Sequence, residues 1–121
     1  MTQRADSPVQ SVYDLIRNEL GGAVVNNLEN PEGSTIGTTS EVLFRAKSAR
    51  VAFVVINLSA NVMFLRPSRP AATTAGIRLI ANGGMAVMIW KEDFSLVARE
   101  WNIVADAGAG NQYYALEVVL T

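Results

Sequence analysis

The sequence predicts a mainly β protein, an antiparallel β-sandwich or jelly roll of about seven to eight strands with one short N-terminal amphipathic helix. From residue 42 onwards, short runs of apolar and β-branched residues alternate with turn residues, a pattern typical of all-β domains. Between Val9 and Leu20, the apolar residues recur with the spacing of a helix. We therefore predict a helix and extended arm over residues 1–41 and a sandwich domain over residues 42–121.

The predicted helix begins near Pro8 and ends at two glycines after Leu20. Ser7 can cap its first turn, Pro8 suits the first helical position, and Gln10 completes a capping box. One face carries an apolar stripe made of Val9, Val12, Tyr13, Ile16 and Leu20. Because a helix of about 13 residues is marginal alone in water, we expect the stripe to pack on the sandwich or on another subunit.

Residues 23–40 are rich in Asn, Gly, Ser, Thr and Glu. This composition predicts an irregular connector or an extended arm, with residues 23–25 as a possible short strand. Structureless segments of such length are usually functional or mobile in a small domain. We therefore expect the segment to contribute to interactions.

The predicted strands after residue 41 cover residues 42–46, 49–57, 61–66, 99–105 and 112–120. Residues 76–90 predict a β-hairpin, because two apolar runs are joined by Asn82-Gly83-Gly84. Residues 93–98 are expected to form a short excursion. In residues 51–56 and 85–90 both alternating faces are apolar, whereas a sheet wetted on one side alternates apolar with polar residues. This pattern predicts a covered second face and a homo-oligomer with closed symmetry, a trimer being favoured.

No acidic residue occurs between Val42 and Trp90, where the chain has six bases: Arg45, Lys47, Arg50, Arg66, Arg69 and Arg78. These bases can simply solvate the outer faces and edges of strands, or they can face an acidic partner surface. A nucleic-acid groove is the third reading, which the balanced net charge of −1 disfavours. Besides the helix stripe, our interface candidates are Arg45, Arg50, Arg66, Arg69, Met85, Met88 and Trp90.

The composition argues against catalysis. The chain contains neither cysteine nor histidine, which excludes thiolate chemistry and removes the commonest general base. Gly108-Ala-Gly110 fits a turn better than a dinucleotide loop, and neither Glu92-Asp93 nor Glu100 has the spacing of a calcium loop. We predict no enzyme activity, no cofactor and no bound metal.

Aromatic residues could serve either packing or sugar binding. Trp90, Trp101, Tyr113 and Tyr114 all lie on or beside predicted strands, where rings usually anchor a core or an interface. No apolar run is long enough to span a membrane, and the N-terminal charges are not followed by an apolar segment. We expect a protein made in a cytoplasm.

Several segments between residues 50 and 119 resemble small structural proteins of tailed bacteriophages. They include the strand ending at Asn57, Gly76-Ile-Arg-Leu with Asn82-Gly-Gly, Trp101-Asn-Ile-Val-Ala and Leu116-Glu-Val. The chain departs from the pattern at Met85, where such proteins often have Ser. The resemblance implies a virion component on a β-sandwich scaffold.

Within that resemblance the first interpretation is a head decoration or cement protein that binds the head lattice through its sandwich and N-terminal arm. Its partners are then the major capsid protein or other virion proteins. The alternatives are a carbohydrate-recognising module of a tail or head fibre and a head-to-tail connector subunit. Neither nucleic acid nor a membrane is an expected partner. The expected location is the virion, after synthesis in the host cytoplasm.

Overall fold

A computed structural model of the protein describes residues 25–121. In chain order its elements are β1 (Val25–Glu29), β2 (Thr35–Ile36), β3 (Glu41–Phe44), β4 (Arg50–Asn57), β5 (Met63–Pro67), β6 (Ile77–Leu79), β7 (Met85–Ile89), helix α1 (Trp90–Asp93), a 3-10 turn (Phe94–Ala98), β8 (Trp101–Ala105) and β9 (Asn111–Leu120). The predicted helix over residues 8–20 lies outside the described residues. The helix that the structure describes lies in the middle of the chain.

The strands form two antiparallel sheets. The first has the order β1-β9-β4-β7, with β2 also pairing with β9, and the second has the order β3-β8-β5-β6. Because β1 and β2 both pair with β9, they can be counted as one interrupted strand, which gives four strand positions in each sheet. Within each sheet, strands from earlier and later parts of the chain then alternate. This is the strand order of a jelly roll, and the predicted mainly β sandwich is confirmed.

The core lies between the inner faces of the two sheets. Along β4 the side chains alternate, so that Phe53 and Val55 are buried while their neighbours are only partly covered. Three aromatic rings form the centre of this core: the Phe53 centroid lies 4.9 Å from that of Phe44 and 5.3 Å from that of Trp101. The alternation along β4 therefore fixes which face of the first sheet packs inward.

Residues 76–90 do not form the predicted hairpin. β6 pairs with β5 in the second sheet, and β7 pairs with β4 in the first. The turn residues adopt the backbone that their types predict, since Asn82 has φ 58° and Gly83 has φ 116°. The turn joins a strand of the second sheet to a strand of the first, instead of reversing the chain within one sheet. The hairpin prediction was therefore wrong because it relied on the turn residues alone.

The irregular connector predicted for residues 23–40 is wrong over two strands. β1 pairs with the C-terminal half of β9, from Val25 opposite Leu120 to Glu29 opposite Leu116. β2 pairs with the start of β9. The sequence analysis missed most of β1 because the strand is rich in Asn and Glu. An edge strand needs few apolar residues. β1 and β2 therefore belong to the first sheet.

Candidate interaction surface

The interface candidates fall into three groups in the structure. The stripe residues Val9, Val12, Tyr13, Ile16 and Leu20 lie outside the described residues. Arg69, Met85 and Trp90 are exposed, Arg45 is exposed and paired with Glu32, and Arg66 is partly buried. Met88 faces inward and packs against the core, while Arg50 is buried. The candidate set is therefore corrected at Arg50, which is buried, and Met88 is only partly exposed because it packs against the core.

Arg50 belongs to a buried ionic network. Its Nε lies 2.7 Å from Oε2 of Glu117, and both side chains are almost completely buried. Lys47 contributes a second cation, with Nζ 2.5 Å from Oε1 of the same carboxylate. The guanidinium also donates to the backbone carbonyl oxygens of Arg45, Val97 and Arg99. The network therefore ties β4 and β9 to the 3-10 turn and to the loop before β4.

Sequence reasoning missed this network, although one signal pointed to it. Glu117 is in phase with Tyr113 and Ala115 along β9, and both of those residues are buried. An acid at an inward position of a strand requires a buried cation. The identity of that cation could not be predicted from the sequence, because Arg50 lies 67 residues from Glu117 along the chain.

Asn57 is a second buried polar centre, at the end of β4. Its side-chain amide donates to the carbonyl oxygens of Asn61, Leu79 and Ile80 at 2.7, 3.1 and 3.1 Å. Its Oδ1 accepts the backbone N–H and the hydroxyl of Ser59 at 2.9 and 2.8 Å. Its own backbone bonds to Gly83 and Gly84 in the turn before β7. One residue therefore joins the first sheet to the end of β6 in the second.

A polar groove of about 380 Å³ lies beside β3. It is lined by Glu32, Ser40, Glu41, Val42, Arg45, Pro70 and Asn102. The Arg45 Nε donates to Glu32 Oε1 at 2.8 Å. Burial, together with the negative charges of Glu41 and Glu32, raises the pKa of Tyr113 from 10.0 to about 12. The groove offers charged and amide groups for hydrogen bonding, but none of its seven lining residues is aromatic.

The outer face of the first sheet is apolar across three strands. Cross-strand partners point to the same side of a sheet, so the registers give three rows: Ile89 with Ala52 and Val118, Val87 with Val54 and Leu116, and Met85 with Ile56 and Tyr114. Met85 and Val87 are 58% and 59% exposed. We call these nine residues the outer sheet face. The sequence pattern predicts that this face is covered, but no residue of the described part of the chain covers Met85 and Val87.

A second apolar feature is the tip formed by α1 and the 3-10 turn. Trp90, Phe94 and Leu96 are 37%, 77% and 38% exposed, and we call these three residues the apolar tip. Phe94 has φ 54° and ψ −133°, a backbone conformation that is unfavourable for a bulky residue. The predicted short excursion at residues 93–98 is thus an ordered turn that presents an aromatic ring to solvent.

Three contacts hold the tip in place. The Ile89 N–H donates to Oδ2 of Asp93 at 2.9 Å, which satisfies a backbone donor at the end of the edge strand β7. On the inner side, Val97 is buried in the core, and Trp101 Nε1 donates to the carbonyl oxygen of Leu96 at 2.9 Å. The ring of Trp101 is therefore a packing anchor. The strained Phe94 sits on a support that is itself well fixed.

Within residues 25–121, no group of three or more acidic side chains is arranged to hold a metal ion. None of the helices in the described part of the chain is long and apolar enough to cross a membrane. Comparison of the chain with protein-family models, with curated proteins and with solved structures finds no match.

Proposed function

We propose that the protein is a non-enzymatic structural protein of a tailed-phage virion, most simply a head decoration or cement protein. Its partners are the major capsid protein or other virion proteins, and it acts as a homo-oligomer, a trimer being favoured. Neither nucleic acid nor a membrane is a partner in this proposal. The protein is made in the host cytoplasm and resides in the virion.

The observation that carries the proposal is the apolar tip. A solvent-exposed phenylalanine on an unfavourable backbone conformation costs stability, of the order of 1–3 kcal/mol for the backbone alone. Such strain is typical of sites that bind, and aromatic side chains are enriched at the centres of protein interfaces. Phe94, 77% exposed, fits an anchor that inserts into an apolar pocket of a partner.

The fold and the sequence resemblance both support this reading. Jelly rolls are the scaffold of viral capsid domains and of lectin domains, although a fold alone does not determine function. The resemblance to small phage structural proteins lies within residues 50–119 and includes β4, β6, β8 and part of β9. On a capsid lattice, each copy would contribute one weak contact through its tip, and linking many such contacts raises the overall binding strength.

The polar groove favours one alternative, a fibre module that recognises carbohydrate. Its carboxylates, guanidinium and amide are the groups that hydrogen bond to sugar hydroxyls, and two of them, Arg45 and Glu32, already hold one another at 2.8 Å. Sugar sites commonly add an aromatic platform, which the lining of this groove does not include. A head-to-tail connector subunit is the third candidate, and it requires a closed ring.

Immunogold labelling of phage particles from the source lysate tests the location. Label spread over the heads supports decoration, whereas label at the tail or neck favours the fibre or connector. Absence of label from every particle contradicts a virion role.

A matched pair of variants then tests the tip. Purified Phe94→Ser protein should bind particles more weakly than the wild type. Leu58→Ser removes a side chain that is 54% exposed elsewhere and should bind normally. Equal binding by both variants would contradict a role for the tip.

A further inference from the structure

We infer that residues 8–20 of the same chain pack, as an amphipathic helix, on the outer sheet face. The inference does not depend on a role in the virion. It identifies the occupant of an apolar surface that the described residues leave exposed.

The outer sheet face has the chemistry of a packing surface. It is apolar across β9, β4 and β7, while the neighbouring edge strand β1 contributes Asn27 opposite Val118 and Glu29 opposite Leu116. An apolar centre bounded by polar side chains on one edge is typical of a buried interface. At strand spacings of about 4.8 Å, three strands present a strip about 10 Å wide, which matches the diameter of one helix.

The chain enters the sheet at this face. Val25, the first residue of β1, lines a shallow apolar depression of about 220 Å³ together with Val51, Ala52, Ile89, Trp90, Lys91 and Val118. Three of these residues, Ala52, Ile89 and Val118, form one row of the outer sheet face. Val25, the first described residue, therefore lies at the end of the apolar strip, on the same side of the first sheet.

The segment has the length and pattern that the face requires. Residues 21–24, of which two are glycine, can span up to about 13 Å and allow a sharp change of direction. The stripe from Val9 to Leu20 then extends over about 17 Å of helix. Its five apolar side chains lie on one side of that helix, and a helix of this length needs a packing partner to be stable.

A second copy of the chain is the competing occupant. For a segment tethered by four residues the effective concentration is of the order of millimolar, so at micromolar protein the intrachain contact prevails when the contact energies are equal. The two occupants also differ in how they depend on protein concentration. The contact within one chain is independent of concentration, whereas the contact between two copies becomes more frequent as the concentration rises. This difference makes the inference testable.

Chemical crosslinking of cysteine pairs provides the test, because the 121-residue chain has no cysteine of its own. The pair Ile16→Cys and Val87→Cys joins the centre of the stripe to the centre of the face. The matched control, Asn18→Cys with Val87→Cys, places the first thiol on the opposite side of the predicted helix. A short bismaleimide should crosslink the first pair within one chain, several-fold more than the control and equally at all protein concentrations.

Two results would overturn the inference. Crosslinked dimers whose yield rises with concentration would assign the face to a second copy. Equal reaction of Ile16→Cys and Asn18→Cys pairs would show that the stripe does not select the face. Neither result depends on particle binding, so failure of this inference is distinguishable from failure of the proposed function.

A second measurement uses one thiol only. In Val87→Cys protein, addition of Ile16→Asp should increase the rate of thiol modification several-fold, because it expels the stripe from the face. Asn18→Asp adds the same charge on the other side of the helix and should leave the rate unchanged. An unchanged rate in both variants would contradict the inference. Unfolding curves recorded on the same samples establish that each variant is folded.

Discussion

The guanidinium of Arg50 lies 2.7 Å from the carboxylate of Glu117, and each side chain is at most 1% exposed. Burial of a charge is tolerated only when an opposite charge and hydrogen bonds replace its water shell. Here both are present, since Lys47 bonds the second oxygen of Glu117 and backbone carbonyl oxygens receive the remaining donors of Arg50. The pair is therefore a structural requirement of the sandwich and not a docking site.

Removal of one partner should be far more harmful than removal of both. We expect Glu117→Leu to lower the free energy of unfolding by about 3–5 kcal/mol, because Arg50 is left buried without its counter-charge. The double variant Arg50→Met/Glu117→Leu should recover part of this loss. Chemical denaturation measures both. Arg45→Ala, which breaks the exposed pair with Glu32, is the control and should cost at most about 1 kcal/mol.

Asn57 should be equally sensitive, for a different reason. Asn57→Ala leaves the carbonyl oxygens of Leu79 and Ile80 without their side-chain donor, and each unsatisfied buried group costs about 1–3 kcal/mol. We expect a loss of about 3 kcal/mol or more in unfolding free energy. Ser59→Ala removes one hydroxyl of the same cluster and should cost about 1 kcal/mol. Equal losses in the two variants would contradict a central role for Asn57.

Gly84 tests the turn that crosses between the sheets. A Cβ at this position would lie 2.4 Å from the backbone nitrogen and 2.5 Å from the carbonyl oxygen of Ile80, and backbone atoms cannot move aside. We expect Gly84→Ala to lower the unfolding free energy by about 3 kcal/mol or more. At Gly110, φ is 65° and nothing lies within 4 Å of the added Cβ. Gly110→Ala should therefore cost only about 1 kcal/mol.

Tyr113 makes stability depend on alkaline pH. Its pKa is raised from 10.0 to about 12 in the folded protein. Between these values the unfolded chain loses a proton that the folded chain keeps, so stability falls as the pH rises. The contribution is complete below pH 10 and is lost as the pH approaches 12. Denaturation curves should show a smaller loss in Tyr113→Phe across this range, and an identical loss would contradict the assignment.

Phe94 should show opposite effects on stability and binding. Glycine adopts positive φ without steric cost, so Phe94→Gly should raise the unfolding free energy by about 1 kcal/mol, since it removes the backbone strain. If the apolar tip is a docking site, the same variant should bind phage particles less well. Thermal unfolding and a particle-binding assay measure the two effects. A destabilised variant would show that the Phe94 ring contributes to packing despite its exposure.

The strands were predictable because their signals are local. Apolar alternation and turn residues locate β4, β5, β8 and β9 within a few residues of the structure. The pairing of β6 and β7 was not predictable in this way. Asn82 and Gly83 specify positive φ, but the same turn can join two strands of one sheet or two strands of opposite sheets. The choice depends on long-range contacts such as those of Asn57.

The candidate surface shows the same division. Both-sided apolarity in residues 85–90 indicated a face that needs a cover, and Met85 and Val87 are indeed exposed in the described residues. Sequence could not separate Arg50 from the exposed arginines, because its partner lies 67 residues away. The sequence did not predict the apolar tip either. Phe94 has a positive φ, which a phenylalanine rarely adopts, so its residue type gave no sign of this turn.

The position of β9 has a consequence for synthesis on the ribosome. β9 lies between β1 and β4 and also pairs with β2. Until residues 111–120 have left the exit tunnel, β1 and β2 therefore lack a partner, and β4 can pair on one side only, with β7. Until then, their backbone donors and acceptors are open to other chains, a state in which nascent β proteins aggregate. β9 thus completes the first sheet, and premature termination before Asn111 should yield insoluble fragments instead of a smaller domain.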